Sequence, residues 1–113
     1  MEFYYHSTDR DVLVLSADGG LDATNAEQFV GQLEQLIQSG ARKLIVDCGR
    51  LVYISSYGVA ILVRLHNKLA KRGGNVKLAC VDSRVARLIE VAGLSRVFEI
   101  YENLDVARAA FRA

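Results

Sequence analysis

Leu44-Ile45-Val46-Asp47-Cys48, followed by Tyr53-Ile54-Ser55-Ser56-Tyr57-Gly58-Val59-Ala60-Ile61-Leu62, is the stretch whose reading decides the fold. A short β-branched apolar run stops, a few polar residues intervene, and two serines open a strongly apolar helix. The run from Lys43 to Cys48 is apolar on successive residues, which reads as a strand covered on more than one side. The helix that follows begins near Tyr57, runs to about Arg72 and stops at Gly73-Gly74. A buried strand feeding a helix is the repeating unit of α/β architecture.

Working outward, Val12-Leu13-Val14-Leu15-Ser16-Ala17 is a short strand bounded by the turn Asp18-Gly19-Gly20. Phe3-Tyr4-Tyr5 is its hairpin partner across Thr8-Asp9-Arg10-Asp11. Thr24-Asn25-Ala26-Glu27 matches a capping box, and Ala26, Phe29, Val30, Leu33, Leu36 and Ile37 follow at helical spacing until Gly40. Beyond the central unit, Val76 to Val81 reads as a strand. Ser83 is placed to cap a helix carrying Val85, Leu88, Ile89 and Ala92, with Gly93-Leu94 set for a Schellman ending. Val97 to Tyr101 is a last strand, and Asn103 caps a final helix with Leu104, Ala107, Ala110 and Phe111 inward. The order is β-β-α-β-α-β-α-β-α. Strands separated by single helices require crossovers and a largely parallel sheet, which the N-terminal hairpin makes mixed. One α/β domain over residues 1–113 is the expectation.

Composition narrows the function. At 51% apolar residues the chain can bury a core, and no apolar run approaches the length of a membrane span. The N-terminus Met1-Glu2-Phe3-Tyr4-Tyr5-His6 lacks the basic and apolar regions of a secretory signal, so a cytoplasmic address and no membrane partner are expected. A net charge of +1 argues against a protein that neutralises a nucleic-acid backbone. Cys48 and Cys80 end apolar runs and read as small buried hydrophobes; with His6 and His66 they form no zinc spacing, so no metal is expected.

The chemistry concentrates at Ser55 and Ser56. Hydroxyls at a helix start meet free backbone N–H groups and the positive end of the macrodipole, a setting that favours an anion. Either serine can act as a plain N-cap, and a phosphoryl group can take over the cap's hydrogen bonds. No Gly-x-Ser-x-Gly elbow, Walker motif or paired carboxylates accompany them, so the chain is not read as an enzyme. Val59 to Val63 are apolar all round: either neighbouring elements cover both sides, or an exposed apolar patch adjoins the serines as a partner surface. Arg64, Lys68, Lys71, Arg72, Lys77, Arg84 and Arg87 read as solvated charge. Asp22 belongs to the turn before the first helix, with turn or cap chemistry as one role and shaping of a phosphodonor site beside the serines as the other.

Taken in order, Gly20-Leu21-Asp22, Lys43-Leu44-Ile45-Val46-Asp47, Tyr53-Ile54-Ser55-Ser56-Tyr57-Gly58, Gly73-Gly74-Asn75-Val76 and Ile89-Glu90-Val91-Ala92-Gly93-Leu94 give the chain a resemblance to the STAS family. Within it the chain resembles the bacterial anti-sigma factor antagonists, over residues 5 to 112. The resemblance implies a partner switch. An anti-sigma factor serine kinase with a Bergerat-type ATP site binds the unphosphorylated antagonist, phosphorylates it on a serine at this helix start and is thereby released. A PP2C-type serine phosphatase restores the first state. Nucleotide and metal belong to those partners, so the chain itself needs no cofactor, and a monomer is expected.

Aligned on the glycine, the family's Asp-Ser-Ser-Gly falls on Ser55-Ser56-Tyr57-Gly58, making Ser56 the phosphoacceptor with Ser55 as the alternative. Ser55 stands where an acidic residue is usual, and Tyr57 is bulkier than the family's usual residue. Asp22, Ser55, Tyr57, Gly58 and Val59 are the expected contacts to the partner or phosphodonor. The competing functional reading is a STAS scaffold or sensor that docks a protein or small ligand without being phosphorylated.

Overall fold

The computed structural model describes residues 2–7, 12–94 and 96–112, with side chains described for 12–94 and 96–111. Five strands make one sheet in chain order: β1 (Glu2–Ser7), β2 (Val12–Leu21), β3 (Lys43–Ile54), β4 (Asn75–Ala79) and β5 (Glu99–Tyr101). β1 runs antiparallel to β2, from Glu2 opposite Asp18 to Ser7 opposite Leu13; the other pairings are parallel. The expected turn at Thr8-Asp9-Arg10-Asp11 lies outside the described residues. The helices are α1 (Ala26–Gln38), α2 (Ser56–Lys71), α3 (Ser83–Val91) and α4 (Leu104–Arg112), so the element order is the expected one.

Strand alternation sorts the apolar residues onto two faces. Leu15, Leu44, Val46, Val76 and Leu78 join Phe29 and Leu33 of α1, Leu62, Leu65 and Leu69 of α2, and Val85 and Ile89 of α3 in the main core. Burying each such side chain is worth about 1.5–3 kcal/mol, so this face carries most of the stability. Val12, Val14, Ile45 and Ala79 point the other way, into a small second cluster closed by Ala107 of α4. The helix stops are as expected. Gly93 takes φ 76°, and the Leu94 N–H reaches back to the Ile89 carbonyl at 3.0 Å; Gly73 and Gly74 end α2 in the same way.

Four local readings change. β2 does not stop at Ala17 but continues through Asp18-Gly19-Gly20, and β3 continues to Ile54, because the two pair along this extension. Two register shifts occur there: Ser16 and Asp18 face Asp47 and Arg50, while Gly19 and Gly20 face Leu51 and Tyr53. Each adds a residue to β3, a bulge. Cys48, Leu51 and Ile54 therefore all point into the main core at a spacing of three, not two. At α1 the capping box does not form: Asn25 is the cap position, and Thr24 donates both its N–H and its hydroxyl to Asp22. Asp82 rather than Ser83 caps α3, accepting from the N–H groups of Arg84 and Val85. Lys77 is not solvated. It is 5% exposed on the α4 side of the sheet, paired with Glu99 and set over the rings of Tyr101 and Phe111.

Candidate functional site

The start of α2 is built on the end of β2. Ser55 keeps an extended backbone and donates its N–H to the Leu21 carbonyl at 2.8 Å. Its hydroxyl oxygen accepts from the Gly58 N–H at 3.0 Å, so Ser55 is the N-cap. A Cβ on Gly58 would lie 2.9 Å from both the Leu21 carbonyl oxygen and Ile54 Cγ1; only glycine lets the first turn sit this close. Gly58 and Val59 are buried by this seating, and what they contribute is packing.

Ser56 is the first residue of α2 and is exposed. Among the described residues its hydroxyl has no hydrogen-bond partner. The cap engages Gly58 and the Ser55 carbonyl engages Val59, which leaves the N–H groups of Ser56 and Tyr57 unpaired at the helix start. No acidic residue stands in this first turn. An anion on Ser56 would meet the positive end of the helix, whose own first turn carries no carboxylate.

Asp22 is joined to this start through Leu21, whose carbonyl holds Ser55. Its carboxylate accepts from the Thr24 N–H at 2.8 Å and the Thr24 hydroxyl at 2.5 Å, and these bonds hold its pKa below the usual carboxylate value. The Asn25 side chain locks the same loop, accepting from the Asp22 N–H and donating to the Gly20 carbonyl. Asp22 therefore shapes the loop that abuts the serines.

Val59, Ile61 and Leu62 lie in the main core and Val63 packs partly buried against it, while Ala60 is exposed, so neighbouring elements cover most of the apolar first half of α2. Exposed apolar surface is nevertheless present. Val52 (61% exposed) and Tyr53 (52%), at the second bulge of β3, and Tyr57 (42%), in the first turn of α2, are all exposed. The Tyr53 ring lies against Gly20, where a Cβ would come within 3.5 Å of it. The Tyr57 hydroxyl donates to the Glu27 carboxylate, and that bond, more than partial burial, raises the phenol's pKa. Arg64 reaches Glu27 at 3.6 Å and Glu34 at 3.9 Å, and Lys68 reaches Glu34 at 2.9 Å, so ion pairs run along the seam between α1 and α2.

As candidate contacts, Val52, Tyr53 and Glu27 do not stand out from the sequence. A strict period-two search ends β3 at Cys48; the triplet spacing of Cys48, Leu51 and Ile54 was the signal available. Glu27 reads as part of a capping box. Among the described residues no cluster of three or more His, Cys, Asp or Glu could hold a metal ion, and no helix is long and apolar enough to cross a membrane. The site offers an exposed hydroxyl at the positive end of a helix, followed directly by the exposed Tyr57. A charge added there is favoured while hydrated and costly to desolvate against a partner.

Comparison with known proteins gives the family of the chain. BtrV of Bordetella bronchiseptica is 29% identical over 101 residues, 89% of this chain and 87% of that one. The anti-sigma F factor antagonist of Paenibacillus polymyxa is 24% identical over 95 residues, 83% of this chain and 81% of that one. The structure of the Bacillus anti-sigma factor antagonist SpoIIAA in its unphosphorylated form superposes with a TM-score of 0.86 at 20% identity, covering 98% of this chain and 96% of that one. Its phosphorylated form gives 0.78, again at 20% identity, covering 98% and 100%. These two likenesses speak for the fold. The family model for the STAS domain matches residues 6–107, nearly the whole length, and the chain belongs to the STAS domain family.

Proposed function

We propose that this chain is an anti-sigma factor antagonist in a partner-switching pathway. Unphosphorylated, it binds an anti-sigma factor that is a serine kinase with a Bergerat-type ATP site. Phosphorylation on Ser56 ends the interaction, and a PP2C-type phosphatase restores it. The observation that carries the reading is the division of labour between the two serines: Ser55 spends its hydroxyl on the Gly58 N–H, while Ser56 presents an exposed, unpartnered one. The name of the Paenibacillus relative and the two solved forms of SpoIIAA support it. Release follows from desolvation: a phosphoryl dianion on Ser56, next to the exposed Tyr57, cannot be buried under a partner without a large penalty.

Phosphopeptide mass spectrometry on the chain from its native cells, with phosphatases inhibited and across growth and stress conditions, tests this. Phosphate on Ser56 is the expected result. Phosphate on Ser55 instead moves the acceptor by one residue and removes the argument from the cap. A well-covered peptide that is never modified favours the scaffold reading.

A further inference from the structure

We propose that Tyr57 is the specificity-determining residue of the Ser56 surface and that Glu27 is its positioning residue. The inference rests on the partner-switch reading and adds to it the side chains that select the partner. Tyr57 follows Ser56 directly and is 42% exposed, yet its ring is tethered at the far end, where the hydroxyl donates to Glu27 in the first turn of α1. Arg64, seven residues further along α2 and on the same face, holds that carboxylate from the other side at 3.6 Å. Through Glu34, Arg64 is linked to Lys68, so the anchor for Tyr57 is a pair of helices cross-tied by charge and not a lone side chain.

An exposed tyrosine ordinarily loses rotamer freedom when it docks, and that loss weakens binding. Here the restriction is in place beforehand. Tyr53, laid against Gly20 and three residues before the acceptor serine, is a second exposed aromatic side chain on the same stretch of chain. Rigid aromatic anchors of this kind dominate protein interfaces. The occupant is the kinase partner, whose docking face carries an apolar recess for the Tyr57 ring. A related kinase lacking that recess is excluded by the ring itself, which Glu27 keeps from swinging aside.

The test uses the whole chain as substrate in native-cell extract supplied with magnesium-ATP, following initial rates of Ser56 phosphorylation against chain concentration. Tyr57→Phe and Glu27→Ala each remove the tether and are expected to raise the apparent KM about tenfold with the maximal rate unchanged, the pattern of lost binding. Glu27→Gln keeps an acceptor for the hydroxyl and is expected to stay near wild type. The double variant Tyr57→Phe, Glu27→Ala is expected to be no worse than either single one, because both delete the same interaction. Ultraviolet titration of the purified chains reads the tether without any partner: the raised Tyr57 phenol is expected to return toward the ordinary tyrosine value in Glu27→Ala. Wild-type rates in Glu27→Ala, or a phenol unmoved by that substitution, overturn the proposal and leave the partner switch standing. Absence of phosphorylation in the wild type overturns the switch, and this inference with it.

Discussion

Ser55 and Ser56 are chemically identical and adjacent, and the fold gives them opposite work. Ser55→Ala removes the oxygen that accepts the Gly58 N–H and is expected to destabilise the chain by about 1 kcal/mol in urea unfolding. Ser56→Ala removes an exposed, unpartnered hydroxyl and is expected to stay within about 0.5 kcal/mol of wild type. Equal losses would mean that the cap is shared. The cysteines are separated by environment in the same way. Cys48 is 2% exposed, and burial pushes its thiol up to about 12, so it is expected to resist a disulfide-exchange reagent until the chain unfolds. Cys80 is half-buried at a backbone φ of 61°, its thiol raised by burial and by the Asp47 carboxylate. It is expected to react slowly in the native state. Counting reactive thiols before and after urea checks both, and native labelling of Cys48 at the Cys80 rate would contradict the burial.

The helix starts differ in what happens to them in acid. α3 is capped by the Asp82 carboxylate, whose bonds from Val85 and Arg84 lower its pKa from 3.8, and the loop before α1 is held by Asp22, lowered by Thr24. A carboxylate whose folded pKa lies below its unfolded value stabilises the fold above the unfolded value, and that contribution is lost as pH falls through the folded one. Below pH 3.8, amides of Thr24, Arg84 and Val85 are therefore expected to lose protection while the start of α2, capped by the neutral Ser55 hydroxyl, holds. Residue-resolved hydrogen exchange measures this, and simultaneous loosening of all three starts would refute it. Elements defined by apolar periodicity were legible in the sequence: the buried faces of α1 and α2, the glycine stops and the parallel order. What escaped were features fixed by partners distant in sequence. Thr24 and Glu27 have capping-box spacing, but Asp22 competes for Thr24, and Glu27 is drawn to Tyr57 and Arg64 across the helix seam. The far half of β3 escaped because its bulges break the period of two, and with it went Val52 and Tyr53.

Seen as one molecule, the chain is a sheet with a large core on one face and a small one on the other, and Lys77 sits where the small one is closed. A lysine in an alternating strand reads as solvent-facing until something covers that face; here α4 covers it, bringing Phe111 to 4.7 Å from the ammonium, with Tyr101 at 5.4 Å on β5. The Lys77 side chain is 7% exposed and that of its partner Glu99 is 54% exposed, so the pair is lopsided: the cation is sequestered while the anion keeps its water. Hydrogen bonds from Lys77 first and from Tyr101 second lower the Glu99 pKa, so this contribution too is present at neutral pH and lost in acid. The asymmetry dictates which half of the pair matters. Lys77→Met keeps an apolar stem against the rings and leaves only a hydratable carboxylate behind, and is expected to change stability by less than about 1 kcal/mol. Glu99→Ala strands a buried ammonium and is expected to cost about 1–3 kcal/mol, below the usual loss for a fully buried pair because the rings still face the charge. In the double variant the loss due to Glu99→Ala largely disappears, since no charge remains to be stranded. Urea unfolding of the four chains closes the cycle. If Lys77→Met proves the more damaging substitution, cation–π contact and not charge compensation holds α4 to the sheet.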